Sequence, residues 1–248
     1  MRYSYEFVRC TRHNVCHLKK FAIRYLGGEV WEVSDGEFKL RCPWYPYQAM
    51  HDVEGYLMHP KYRIAEGDTV VDAGGCRGEF SAYAALKVGP KGRVVMLEPD
   101  GKNLEYAYDL FALNGLTDRI EVIREGLWSR DQLVSFEAGS GATSKVLGAE
   151  ASEAGGDVIA VTTLLSLADR LGLKRIDFVK MDIEGAELQA LNCVPMLPIH
   201  LTPSFSIASY HVVDGEQTWH AVEAMLSACG YSCETGNSRH LTTWATKS

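Results

Sequence analysis

The stretch VVDAGGCRGEFSAYAAL, Val70 to Leu86, constrains this chain more than any other. An apolar run leads into a glycine-rich turn, and the turn leads into an alanine-rich segment. That order predicts a buried strand, a tight turn and a helix. Asp72, Gly74 and Gly78 set the pattern D-x-G-x-x-x-G, with Gly75 between them. A second apolar run, VVMLE, ends in Glu98, twenty residues after Gly78. Glycines let a backbone approach a ligand closely, and an acid at the next strand end can accept both ribose hydroxyl protons. The pair therefore predicts a nucleoside pocket.

Two ligand classes use such a pocket. Dinucleotide sites use G-x-G-x-x-G, whose first glycine tightens the turn for a pyrophosphate. Here Ala73 stands at that first position. S-adenosylmethionine (SAM) has no pyrophosphate but carries a positive sulfonium and an amino acid end. An acid at the end of the first strand suits that charge, and Asp72 supplies it. The turn favours SAM over NAD.

The 248 residues suit one α/β domain with an accessory segment, and 46% apolar content is ample for a core. A net charge of −7 argues against nucleic acid as the main partner, because phosphate binding needs clustered Lys and Arg. Seven cysteines at irregular spacing, with no C-x-x-C pair, read as reduced thiols of a cytoplasmic protein. Cys10, His13, Cys16 and His17 lack the second half of a zinc-finger spacing, so no resident metal is assigned. No apolar run is long enough for a bilayer.

Residues 1–27 are expected to be helical and to end at Gly27-Gly28. A hairpin is expected around Asp35-Gly36, and PWYPYQAMHDVEGYLMHP is expected as an irregular connector or lid. These make an N-terminal helix and hairpin extension over 1–53, ahead of a catalytic domain over 54–248. Strands are expected near 69–73, 93–97, 120–124, 176–183 and 205–211, with helices near 79–88, 100–114 and 216–229. The alternation predicts a mostly parallel sheet covered on both faces. Two short strands are expected around a Gly/Ser/Ala-rich loop between 134 and 161. YSCET and LTTWAT are expected to close the sheet as an antiparallel pair.

In open α/β sheets the ligand sits beyond the carboxyl ends of the strands. KMDIEGAE places Asp182 and Glu184 at such an end, and SYH places Tyr210 and His211 at another. His211 is a candidate general base, since imidazole takes protons near neutral pH, and Tyr210 a candidate pocket wall. Asp182 or Glu184 capping the following helix is the competing structural reading. Trp128 reads first as a core aromatic. The backbones of Gly126 and Leu127 are the expected neighbours of an adenine ring.

Taken together, VVDAGGCRGEFS, MLEPDGKNLEYAYDLFALNGL, EGLWS, GSGATSKV, VTTLLSLADRLGL, DFVKMDIEGAELQAL and the SYH ending resemble the FkbM family of SAM-dependent methyltransferases, from about Glu54 to His211. The resemblance implies an α/β, Rossmann-like class I methyltransferase fold: a mostly parallel seven-stranded sheet with an antiparallel C-terminal strand. It implies O-methylation of a sugar, glycan or polyketide-type hydroxyl in a small-molecule or glycan substrate. It implies that Asp72, Gly74, Gly78, Glu98 and Asn103 surround SAM, and that Asp182, Glu184 and His211 face the acceptor; Gly75, Pro99, Gly126, Leu127 and Asp182 are further candidate cofactor-binding residues.

The chain departs from the family in two places. GGCRGEF replaces a common Ala-Asn-x-Gly, so Arg77 and Glu79 are expected to adjust the methionine end. SYH lacks the acid usual two residues before the histidine. A Mg2+ ion on Asp182 and a neighbouring carboxylate remains open, as does a homo-oligomer. A methyltransferase for protein or RNA and a non-catalytic SAM-binding module are the alternatives. The base-methylating motif N/D-P-P-Y/F/W would occupy the place of Asp182 to Gly185 and is absent there.

Overall fold

A computed structural model describes residues 15–18, 20–137, 145–148, 157–237 and 240–247. The expected helix before residue 15, the Cys10–His13 pair and most of the GSGATSKV loop lie outside the described residues.

The chain begins with an antiparallel meander of β1 (Val15–His17), β2 (Ala22–Gly27), β3 (Val30–Ser34) and β4 (Lys39–Cys42). The hairpin at Asp35-Gly36 is present: the Asp35 carboxylate accepts the N–H groups of Glu37 and Phe38 at 3.0 and 2.9 Å. Where helix was expected over 1–27, the described part is strand. Phe21 and Ile23 are buried while Arg24 between β2's inner positions is exposed, a period of two rather than 3.6. Gly27-Gly28 is then a hairpin turn and not a helix end.

The expected connector contains a helix, α1 (Tyr47–Tyr56). Pro46 precedes it, where a missing N–H costs nothing. Met50, Val53 and Tyr56 recur at three-residue spacing and are buried together.

The central sheet has seven strands. β5 (Thr69–Ala73), β6 (Arg93–Leu97), β7 (Ile120–Ile123), β12 (Phe178–Met181) and β13 (Ser204–Ala208) are mutually parallel. β17 (Thr242–Thr246) runs antiparallel to β13, and β16 (Ser232–Gly236) runs antiparallel to β17. Between β7 and β12 a smaller sheet is built from β8 (Gly126–Leu127), β9 (Gln132–Glu137), β10 (Lys145–Gly148) and β11 (Asp157–Thr162). Trp128 packs there against Val134 and Val161, as a core aromatic. A ribbon of β14 (Val212–Val213) and β15 (Glu216–Gln217) follows β13.

Alternation along the central strands decides which layer each side chain joins. Val70, Val94, Met96 and Phe178 face one layer, formed by the meander, α1, α2 (Glu79–Val88) and α3 (Gly101–Leu113). Val71, Val95, Leu97, Val179 and Met181 face the other, formed by α4 (Leu164–Leu171), α5 (Glu187–Leu191) and α6 (Trp219–Ala228). Both faces are covered, so these strands are mostly apolar, with Asp72 and Lys180 the charged exceptions in β5 and β12.

The strand order is β16-β17-β13-β12-β5-β6-β7. From β5 the chain builds outward to β7, then returns to place β12 on the other side of β5. The carboxyl ends of β5 and β12 therefore flank the reversal point, where such sheets bind ligands. Among the described residues no helix is long and apolar enough to cross a membrane. Every cysteine side chain described is free.

Candidate active site

The glycine turn follows β5, and its geometry is set by its neighbours. Gly74 has φ +74°, and a Cβ there would lie 1.8 Å from the Asp182 carbonyl oxygen. Asp182 N in turn donates to Ala73 O at 3.0 Å. The loops after β5 and β12 thus touch through backbone, which requires glycine at this place. Gly75 lies against Met96, and Gly78 opens α2 with φ +85° against Phe111.

Asp72 is fully buried beneath the turn. Its carboxylate sits 3.0 Å from Lys180 Nζ and accepts the Ser81 hydroxyl at 2.6 Å. It therefore does not project toward a ligand as expected: it holds Lys180, whose ammonium also donates to Gly74 O at 2.5 Å. Burial works against the Lys180 charge, but Asp72 and Asp182 outweigh it and raise its pKa. A lysine within the otherwise apolar strand FVKM was the signal for this pair, since a charge buried on both sheet faces requires a partner.

Glu98 stands at the end of β6. It accepts Cys76 N at 2.8 Å on one oxygen and Asp100 N at 2.9 Å on the other. Burial pushes its pKa up to about 7, against the pull of these bonds and one from Asn103. Three donors on about four lone-pair sites leave one for a further donor. Asn103 thus orients Glu98, and Pro99 forms the turn between them. Gly126 and Leu127 lie just beyond β7, paired with β11, with the Leu127 side chain in the core.

A cavity of about 300 Å3 opens beside the turn. Gly74, Gly75, Cys76, Arg77, Lys180 and Asp182 line one side, and Trp44, Tyr45, Gln48, Asp52 and Tyr56 line the other. Arg77 lies over the rings of Trp44 and Tyr106 at 5.7 and 5.0 Å, and Glu79 accepts Trp44 Nε1 at 2.9 Å. These two departures from the family pattern tie the turn to the aromatic segment before α1. Burial, then Glu79 and Glu98, pushes the Cys76 thiol up to about 12, which rules it out as a thiolate nucleophile. A larger cavity of about 470 Å3 opens at the amino end of the sheet, where Phe178 begins β12, away from these strand ends.

Tyr56 donates to Asp182 Oδ2 at 2.6 Å, and Tyr210 lies 3.4 Å from both oxygens. His240 Nε2 lies 3.1 Å from the Tyr56 hydroxyl. Burial raises the pKa of Asp182, but Lys180, His211 and the Tyr56 bond outweigh it, and the net direction is down. Glu184, at φ +57°, turns back beside it. Burial pushes Glu184 up to about 7.

His211 joins these groups. Its Nε2 is 3.4 Å from Asp182 Oδ1 and 3.6 Å from Glu184 Oε2, and its Nδ1 is 3.1 Å from Glu187 Oε1. Burial alone would lower its pKa, but Glu187, Asp182 and Glu184 raise it to about 9. In this state the imidazole holds a proton at neutral pH. Asp182 and Glu184 do not cap α5; the acid at its first turn is Glu187, which accepts Ile183 N at 2.9 Å.

Sequence reasoning brought Glu98, Asp182, Glu184 and His211 to one end of the sheet. It missed Lys180, Tyr56, Glu187 and His240.

A family model described as the methyltransferase FkbM domain matches residues 72–233. Among solved structures, a methyltransferase FkbM from Methylobacillus flagellatus KT aligns at TM-score 0.56 and 22% identity, covering 77% of this chain and 48% of that one. The chain thus spans about half the length of that relative. Fibrillarin from Aeropyrum pernix, solved with natively bound SAM, aligns at TM-score 0.52 and 11% identity over 94% of this chain and 97% of that one. The fibrillarin pre-rRNA processing protein of Methanococcus jannaschii aligns at 0.51 and 12% over 93% and 99%. At these identities the alignments show the fold alone. No curated protein matches the sequence.

Proposed function

The chain belongs to the FkbM family of methyltransferases, and from that premise we propose that it transfers a methyl group from SAM to a hydroxyl oxygen of a sugar, glycan or polyketide-type product. One observation carries the reading: Asp182 lines the same cavity as the glycine turn and reaches His211 at 3.4 Å. The glycine-turn backbone and the Asp182 side chain thereby share one crevice, with His211 behind Asp182.

The donor side fits SAM by its chemistry. The turn offers backbone without bulky side chains, and Glu98 keeps a lone pair for a ribose hydroxyl one strand away. Bound there, SAM supplies a methyl on a positive sulfur: the C–O bond forms as the S–CH3 bond breaks, with its electron pair returning to sulfur.

The residues across the crevice position the acceptor and take its proton. An alcohol is a weak nucleophile, and a placed base contributes on the order of 10²–10⁴-fold. With a carboxylate against each nitrogen, His211 is placed to hold a proton rather than take one. The Asp182 and Glu184 oxygens that face it are placed to receive the acceptor's proton. Tyr56 and Tyr210 fix Asp182, and Trp44 and Tyr45 offer apolar faces to a ring. Orienting the partners at attack distance can itself supply about 7–11 kcal/mol.

The test is incubation with methyl-labelled SAM and a panel of saccharides, glycolipids and polyketide lactones, with products read by mass spectrometry. A base-stable methyl ether is expected. Label on nitrogen, or SAM binding with no transfer to any hydroxyl, would overturn the proposal.

A further inference from the structure

We propose that Asp182, Glu184 and His211 form a binding site for one divalent cation of the Mn2+ class. The three residues each bring one ligand atom to within 4.8 Å of the others. Neighbouring ligands of an octahedral ion with bonds near 2.1 Å stand about 3 Å apart, and opposite ones about 4.2 Å. The separations of 3.4 and 3.6 Å from His211 Nε2 to the two carboxylates fall within that range.

A carboxylate cluster alone would not establish a site; the imidazole is the independent observation. The His211 side chain is 8% exposed, and its Nε2 makes no hydrogen bond among the described residues. It is nevertheless aimed between two carboxylates, at distances beyond the 2.7–2.9 Å of a charge-assisted hydrogen bond. Behind it, Nδ1 stands 3.1 Å from Oε1 of Glu187, a glutamate with no exposed surface, in an ion-pair contact without hydrogen-bond geometry. A carboxylate behind an imidazole is what fixes the ring and tautomer of a metal-bound histidine, and it turns the Nε2 lone pair toward the ion. Glu187 is itself oriented by Ile183 N. On the other side, Tyr56 occupies Asp182 Oδ2, and Oδ1 is the atom nearest the imidazole.

The donor set selects the ion. Two carboxylates suit Mg2+, Ca2+ or Mn2+, and an imidazole shifts the preference away from the first two. No cysteine belongs to the cluster. Three protein ligands leave open positions for water and for an acceptor hydroxyl, whose pKa a cation lowers. The ion takes the place of the Nε2 proton that His211 holds in the metal-free chain, so the two roles of Asp182 and Glu184 belong to different states of the site; the catalytic role rests on the hydroxyl reading above, and the binding itself does not.

The experiment uses the full chain, stripped of metal, titrated with MnCl2 and followed by electron paramagnetic resonance without SAM or acceptor. One saturable Mn2+ per chain is expected, with hyperfine coupling to a nitrogen. Glu184→Gln, at a partly exposed position, is expected to weaken binding at least about tenfold with an unchanged circular dichroism spectrum. His211→Gln is expected to abolish the nitrogen coupling. Glu187→Gln, which touches no ion, is expected to weaken binding while keeping the coupling. Absence of saturable binding by folded protein, binding unchanged in Glu184→Gln, or bound Mn2+ without nitrogen coupling would each overturn the site. Because neither SAM nor acceptor is present, failure here leaves the methyl-transfer reading standing, and failure of methyl transfer leaves this result standing.

Discussion

The glycine turn and the cluster around Asp182, the proposed donor and acceptor walls of the candidate site, are made differently. The donor wall, Gly74 to Gly78 with Glu98, is backbone held by backbone: Gly74 N and Gly75 N both donate to Leu97 O, and Glu98 is fixed by two N–H groups. The acceptor wall is side chain held by side chain, with Tyr56, Asp182, Glu184, Tyr210, His211 and His240 brought from four separate parts of the chain. A backbone wall tolerates little change and suits an invariant ligand, as the proposed methyl donor is. A side-chain wall can be re-cut for different acceptors while the sheet beneath it stays fixed.

Substitutions can break this contrast in order of expected effect. The largest is Gly74→Ala, which drives a methyl into the Asp182 carbonyl at a positive φ. Loss of cooperative folding is expected, read by near-ultraviolet circular dichroism in a urea titration. An unchanged midpoint would show that the two loops are not locked together.

Next is Lys180→Met, which leaves Asp72 charged, buried and unpaired. A loss of about 3–5 kcal/mol is expected from thermal unfolding. The double variant Asp72→Asn with Lys180→Met should recover much of it. If the single and double variants are equally unstable, the pair is not what supports the turn.

Tyr56→Phe separates the walls. A hydrogen bond to a charged group is worth about 1.5–3 kcal/mol, so methyl transfer should fall at least about tenfold. SAM affinity by calorimetry should stay level. A matching loss of SAM affinity would mean that the walls act as one.

The smallest effect belongs to Glu98. Burial raises its pKa to about 7, and ribose hydroxyls donate best to its ionised form. Binding therefore lowers that pKa, so SAM affinity should rise several-fold as pH climbs toward 7 and level off above it. Glu98→Gln should flatten the profile. A pH-independent affinity in the unmodified chain would remove Glu98 from the ribose.

The same contrast explains what sequence reasoning could reach. β5, β6 and β12 were legible because strands buried on both faces must be continuously apolar, and Glu98 and Asp182 were legible because strand ends fix where acids emerge. α1 was obscured by Pro43 and Pro46 and by aromatic crowding, although Met50, Val53 and Tyr56 carry a helical spacing. The meander was obscured because its first strands lie beside basic residues that read equally well as a helix face. Tyr56 and His240 stand 126 and 184 residues from their partners, Asp182 and Tyr56, and no local pattern announces such a pairing. Glu187 was hidden because an acid in the first turn of a helix is ordinary; only its burial against His211 marks it.

The contact between Gly74 and the Asp182 carbonyl has a consequence for how such a chain can diversify. Neither loop can shift without the other, so residues 72–78 and 180–182 are held as one unit. On the proposed function, acceptor preference is expected to be set around it, in the aromatic segment at 44–56 and in the side chains after Ser209. A swap of those segments between homologues should carry substrate preference with it and leave the methyl donor unchanged.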